Sequence, residues 1–389
     1  MKVDLQSLGL DFAEEFSQSE RLEIYNSAFT KLLEAGFIYP CFETEEELEL
    51  KRKIKLSKGL PPIYERVEFT EEQKKNKPYY RFKLTAKNVT WKDLIQGEIS
   101  YEGKDLSDPV ILRANGNFMY TFCSVVDDFL MDISHIIRGA DHITNTAIQI
   151  QIFTALSTVY KKQNEILFAH LPLFQNKDGK KISKREGGST IKEILEEGIE
   201  KDAIFNVLAK LGLSNYDDTF KTIKQLIEEF DLSKFGKSQI MFDATGMLHF
   251  NQKFWSAVDY NYLKPRLNGV SEELFEDIKH NIFYLKDVFE WQNIFEESHN
   301  FLHLLNESQI GILQTALKII KESGFNWKQS FPKLKEEFKS IGVKEVLIPL
   351  RIALTGKPKG PEIETIFKHL NREKIEGRMS LPIETSRKV

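Results

Sequence analysis

Apolar positions recur at helical spacing along most of this chain and fall into short strand-like clusters mainly between about residues 78 and 175. Residues 17–35, SQSERLEIYNSAFTKLLEA, put Leu22, Tyr25, Phe29, Leu32 and Leu33 on one helical face behind a Ser-x-x-Glu start, with Gly36 at the expected stop. A second helix is predicted after Thr44, acidic in its first turn and basic in its last, with its charges forming a solvated face. PYYRFKL (78–84), GEISY (97–101) and PVILR (109–113) read as short strands. The Asn115-Gly116 turn predicts a hairpin pairing 109–113 with 118–126. HIIRG (135–139) predicts a strand that passes through ADHITNTA into a helix at about 144–158, which is half of a βαβ unit. FAHLPLF reads as a buried strand, and 191 to about 350 is helical pattern interrupted only by QIMFD. The expected fold class is therefore α/β in the first half and all-α in the second, without internal repeats.

A length of 389 residues suggests two to four compact units at about 100–200 residues each. No apolar run approaches the ~18–20 residues of a membrane helix, and MKVDLQSLGLDF lacks a cationic flank followed by an apolar stretch, so the expected location is cytoplasmic, with no membrane partner. Cys41 and Cys123 stand far apart with no Cys-x-x-Cys and no Cys/His cluster, which predicts reduced thiols and no metal site. The net charge of −4 argues against a general nucleic-acid coat, and no DNA partner is expected, but local basic surfaces stay possible. One such surface is KDGKKISKREGG (177–188), between a buried strand and a helix, where an α/β sheet presents its ligand-facing ends. Lysines there can neutralise a departing polyphosphate or form a solvated loop.

DGKKISKREGG resembles the Lys-Met-Ser-Lys-Ser signature of class I aminoacyl-tRNA synthetases in the form found in glutamyl-tRNA synthetases. SVVDDFLMDISHIIRGADHITNTAIQIQIFTAL is similar to the segment of those enzymes that enters the second half of the nucleotide fold. LGLDF, QSERLEIY, AGFIYPCFETEEEL, PPIYER, YYRFKL, LAKLGLS, IEEFDL and PLRIALTGKPKGPEI continue the likeness in family order. The resemblance implies an incomplete Rossmann-type fold carrying an acceptor-binding α+β insertion, then an all-α anticodon-binding cage. It places a remnant of the first catalytic half at 1–16, the insertion at 17–121, the second catalytic half at 122–175, a stem-contact region with the basic loop at 176–250 and the helical domain at 251–389. The implied reaction is ATP-dependent formation of glutamyl-adenylate and transfer of glutamate to the 3′ end of tRNA(Glu), with tRNA(Gln) open as a second acceptor. By the same resemblance Lys181, Ser183 and Lys184 serve adenylate formation, the two lysines on the ATP phosphates. Asp141, His142 and Phe174 lie where ATP is held, Tyr120, Ser124 and Arg138 line the glutamate pocket, and magnesium accompanies ATP. The complete form is expected to be monomeric.

Several positions depart from the family pattern. The opening Pro-Ser-Pro-Thr-Gly and His-x-Gly-His-like segment is not found, and LGLDF lies a few residues from Met1. The first half of the nucleotide fold is therefore expected to be lacking, which leaves a catalytically impaired tRNA-binding paralogue or fragment as the alternative. Ser124 stands where many relatives carry Asn, Ala140 replaces an acidic residue, and Ser7 stands where Trp is usual. Some members bind zinc through Cys-x-Cys in the insertion; here Cys41 is followed by Glu43, so no zinc is expected. Phe325, Trp327 and Lys328 offer aromatic and basic groups suited to RNA bases, or to a core.

Overall fold

The first predicted helix forms over Leu22–Glu34 in the computed structural model, which describes residues 2–175, 190–213, 215, 217–242, 245–299 and 301–385. Its inward face is Tyr25, Ala28 and Leu32, three to four residues apart. Gly36 ends it at φ +76°, with the amides of Gly36 and Phe37 donating back to the Leu33 and Leu32 carbonyls. The expected Ser17 cap does not form. The chain makes a 3₁₀ turn over Gln18–Glu20 instead, and Gln18 and Arg21 reach Asp127 at 3.2 and 2.8 Å.

Two compact units divide the chain: 1–186 with 210–216 and 229–242, and 187–209 with 217–228 and 243–389. In the first unit the elements run α1 (Lys2–Ser7), α2 (Leu22–Glu34), β1 (Ile38–Cys41), α3 (Glu45–Ser57), β2 (Tyr79–Phe82), β3 (Val89–Asp93), β4 (Gly97–Tyr101), β5 (Val110–Leu112), α4 (Tyr120–Leu130), β6 (His135–Gly139), α5 (Ile143–Tyr160), β7 (Leu167–Leu171), β8 (Phe174–Gln175) and β9 (Ile240–Met241). Strands β1-β2-β5 form one antiparallel sheet, and β4-β3-β7-β6 form a mixed sheet in which β3, β7 and β6 are mutually parallel. The third sheet is the parallel pair β8-β9. A capping box, with Thr44 accepting from the Glu47 amide and Glu47 from the Thr44 amide, starts α3 as its sequence requires.

The hairpin expected between 109–113 and 118–126 is corrected by the structure. The Asn115-Gly116 turn is present, with Gly116 at φ +87° and the Arg113 amide on the Asn117 carbonyl, but pairing stops after one bridge, Leu112 to Phe118. From Tyr120 the chain is helical, because Phe122, Val125, Val126 and Phe129 fall at helical spacing and all four are fully buried. They pack with Ala147, Ile152 and Leu156 of α5, Tyr25, Ala28 and Leu32 of α2, and Phe82 and Ile111. Each large side chain in that core contributes about 1.5–3 kcal/mol by leaving water. The core thereby fixes where α5 begins relative to β6.

Apart from short 3₁₀ turns, the second unit is α-helical among its described residues, including Thr245–Ala257, Leu285–Glu296, Glu307–Glu322, Val343–Thr355 and Arg372–Thr385, packed around Trp255, Phe275, Val288, Leu313, Leu350 and Met379. Trp327 packs against Phe331 and Phe367 with ring centroids 5.3 and 5.1 Å apart, and Lys328 pairs with Glu364 at 3.3 Å. Of the two readings of this cluster, the rings therefore serve the core. Among the described residues no helix is long and apolar enough to cross a membrane.

Candidate active site

Arg138 leaves β6 one residue before its end, directly opposite His170 of β7 in the parallel register. Its Nη2 donates to Thr146 Oγ1 at 2.6 Å and Gln149 Oε1 at 2.5 Å, and its Nε lies 3.4 Å from His170 Nε2. Thr146 and Gln149 are three residues apart in the opening turns of α5, so both project to the same side, and both are buried. Gln149 Nε2 continues to Ser124 Oγ on α4 at 3.2 Å. None of these bonds uses Nη1. Burial pulls the guanidinium below its ordinary pKa, while Tyr120 and Asp128 pull it back up; an arginine stays cationic under such a shift.

Behind Arg138 stands a second buried pair. His170 Nδ1 is 2.5 Å from Asp93 Oδ2, and both side chains are fully shielded from solvent. Asp93 Oδ1 also accepts from the amides of Ile95, Gln96 and His170 at 3.0, 2.9 and 3.1 Å. Burial opposes the charged carboxylate, yet the Gln96 amide, the imidazole and the other amides hold Asp93 below the usual carboxylate range. Burial also lowers the pKa of His170, against the pull of Asp93. The Arg138 Nε–H directed at Nε2 and the Asp93 carboxylate at Nδ1 place the ring proton on Nδ1 and an acceptor lone pair on Nε2.

Tyr120 opens α4 and is largely exposed, with its ring centroid 6.5 Å from that of His142. His142 ends the 3₁₀ turn Ala140–His142 and contacts Asn145 Nδ2 through Nδ1 at 3.1 Å. Asp141, in the same turn, is exposed beside the start of α5. Gly139 is extended, and a Cβ there would lie 2.6 Å from Asp141 Oδ1 and 3.1 Å from Leu173 Cδ2, so the Asp141 side chain packs close over the glycine. Tyr120, Ser124, Arg138 and His142 therefore gather where the C-terminal end of β6 meets the start of α5. Phe174 lies one residue past Leu173 and turns its ring toward Phe242, 6.3 Å between centroids. Lys181, Ser183 and Lys184 lie outside the described residues.

Sequence reasoning missed Asp93, Thr146, Gln149 and His170. The available signal was a lone histidine inside the apolar run FAHLPLF, and a buried polar group in such a strand requires a partner. At the position of the Cys-x-Cys pair, the buried Glu43 accepts from Tyr79, Tyr64 and Lys51 at 3.0, 3.1 and 3.1 Å. Its carboxylate is held by hydroxyls and an ammonium.

The arrangement at Arg138 is suited to a carboxylate: a planar cation held by neutral acceptors, beside a phenol and a helix start. Residues 1–249 match the family model for the class I tRNA synthetase (E and Q) catalytic domain, and 251–382 match that for an anticodon binding domain. Glutamate–tRNA ligase 1 of Rickettsia rickettsii (strain Sheila Smith) is 38% identical over 397 aligned positions, covering 98% of this chain and 87% of the relative. Glutamate–tRNA ligase 1 of Rickettsia massiliae (strain Mtu5) is 39% identical with the same coverage. Among solved structures, a glutamate tRNA ligase from Elizabethkingia meningosepticum in complex with its amino acid superposes with a TM-score of 0.76 at 25% identity, over 98% of this chain and 88% of that one. The chain belongs to the class I tRNA synthetases of the glutamate and glutamine group.

Proposed function

We propose that this chain is a glutamate–tRNA ligase in which Arg138 receives the substrate carboxylate, with Tyr120 and Ser124 completing the pocket wall. The observation that carries the assignment is the Arg138 guanidinium, held by the neutral acceptors Thr146 and Gln149 and, among the described residues, in no ion pair with a carboxylate, although Asp128 lies near enough to favour its charge. Its charge is therefore available to a substrate. A carboxylate oxygen of glutamate attacks the α-phosphorus of ATP; a carboxyl–phosphorus bond forms, the bond to the β-phosphate breaks, and pyrophosphate leaves. A hydroxyl of the terminal tRNA ribose then attacks the acyl carbon, and AMP leaves.

These steps need positioning and charge stabilisation rather than a protein nucleophile. Asp141 and His142 stand at the start of α5, where amide donors and the helix dipole favour anionic groups, so this end of the site is assigned to ATP, with Phe174 toward the adenine. Lys181 and Lys184, with Ser183 between them, are assigned to the phosphates. Magnesium travels on those phosphates and offsets their charge; no side chain is assigned to it. The acceptors are tRNA(Glu) and, in a broader specificity, tRNA(Gln); the chain works as a monomer in the cytoplasm.

Glutamate-dependent ATP–pyrophosphate exchange, with and without tRNA, and charging of tRNA(Glu) and tRNA(Gln) test the assignment. Exchange and charging support it; tRNA binding with neither activity would return the reading to a binding module.

A further inference from the structure

We infer that His170, fixed by Asp93, is a positioning residue that orients the Arg138 guanidinium toward the glutamate carboxylate; this rests on the pocket assignment above. The relay has a defined direction. Three backbone amides on Oδ1 and the imidazole N–H on Oδ2 hold the Asp93 carboxylate in place. It fixes the proton on His170 Nδ1 and leaves Nε2 as an acceptor, 3.0 Å from Thr146 Oγ1 and 3.4 Å from Arg138 Nε. The Gln96 side-chain amide holds the His170 carbonyl at 2.8 Å, so the backbone of β7 is pinned at the same residue.

A carboxylate placed directly on Arg138 would orient it as well, but would neutralise the cation that a substrate carboxylate needs. An imidazole between the two separates these effects. The Asp93 charge is absorbed by four donors, while the neutral ring presents a lone pair to the arginine. Thr146 Oγ1 accepts from Arg138 and lies within hydrogen-bonding distance of both His170 Nε2 and the His142 carbonyl, tying the start of α5 into the same array. The guanidinium is therefore bounded by three buried acceptors, and its remaining edge has few directions to take.

His170→Asn keeps a donor near the Nδ1 position and loses the Nε2 acceptor, whereas His170→Gln keeps a polar group near Nε2. Full-length variants are compared for calorimetric L-glutamate binding and for glutamate and ATP dependence of pyrophosphate exchange with tRNA present. Removing one hydrogen bond to a charged group predicts a roughly tenfold rise in the glutamate Kd and KM for His170→Asn. The ATP KM should stay unchanged, with partial recovery in His170→Gln. Unchanged glutamate constants in His170→Asn, or equal weakening of glutamate and ATP, overturn the inference. Arg138→Ala separates the two levels. If it leaves glutamate binding unchanged, the pocket assignment fails; if it abolishes binding while His170→Asn does not weaken it, only the positioning role fails.

Discussion

Replacing Arg138 by alanine removes the cation proposed to receive the glutamate carboxylate. A charge-assisted contact to a carboxylate is worth about 1.5–3 kcal/mol per hydrogen bond. Loss of about 3 kcal/mol raises the glutamate KM roughly 100-fold. The same change strips Thr146 Oγ1 and Gln149 Oε1 of their donor. Arg138 is only half-buried, so water can reach those acceptors, and that cost falls on stability rather than on one ligand. The assay is pyrophosphate exchange at saturating ATP with glutamate varied, then the reverse, with thermal unfolding as the folding control. Glutamate KM should rise by that factor while ATP KM stays within about twofold. Arg138→Lys, which keeps the charge and loses the planar fork, should fall between the two. An unchanged glutamate dependence, or equal loss toward both substrates, would refute the reasoning.

Three further outcomes concern stability. Burial pushes the Asp128 carboxyl from 3.8 up to about 6, against the lowering pull of Arg138. A raised carboxyl contributes stability below its unfolded pKa and loses it as pH rises through about 6, so Asp128→Asn should be more stable than wild type at pH 7 by roughly 1–3 kcal/mol. In denaturant titrations that gap should close between about pH 6 and 4, and a pH-independent gap would contradict it. Thr44→Ala breaks the capping box of α3 and should cost about 1 kcal/mol, read as a lower Tm. Gly103→Ala would place a Cβ 2.5 Å from the Thr85 carbonyl oxygen and 2.8 Å from the Ala86 carbonyl carbon, and backbone cannot yield as a side chain can. The cost should reach about 3 kcal/mol by chemical unfolding, and a neutral result would mean the 85–87 loop moves freely.

Local chemistry by itself determined much of this protein. The stop of α2 at Gly36, the capping of α3, the strand–turn–helix around Arg138 and the helical second half follow from periodicity and turn residues, since those preferences act over a few residues. The motif order identified the family because it preserves many such local choices at once. Tertiary structure decided what depends on residues far apart in the chain. From Tyr120 the chain left the predicted hairpin for a helix because Phe122, Val125, Val126 and Phe129 are buried in one core with residues of α2 and α5. Arg21 and Asp127 pair across 106 positions, and Ser17 makes no cap bond. The array behind Arg138 joins Asp93, Ser124, Thr146, Gln149 and His170 from β3, α4, α5 and β7. No local pattern announces that array: its partners meet only when the parallel register of β6 and β7 sets Arg138 opposite His170, and burial then requires each polar group to find the next.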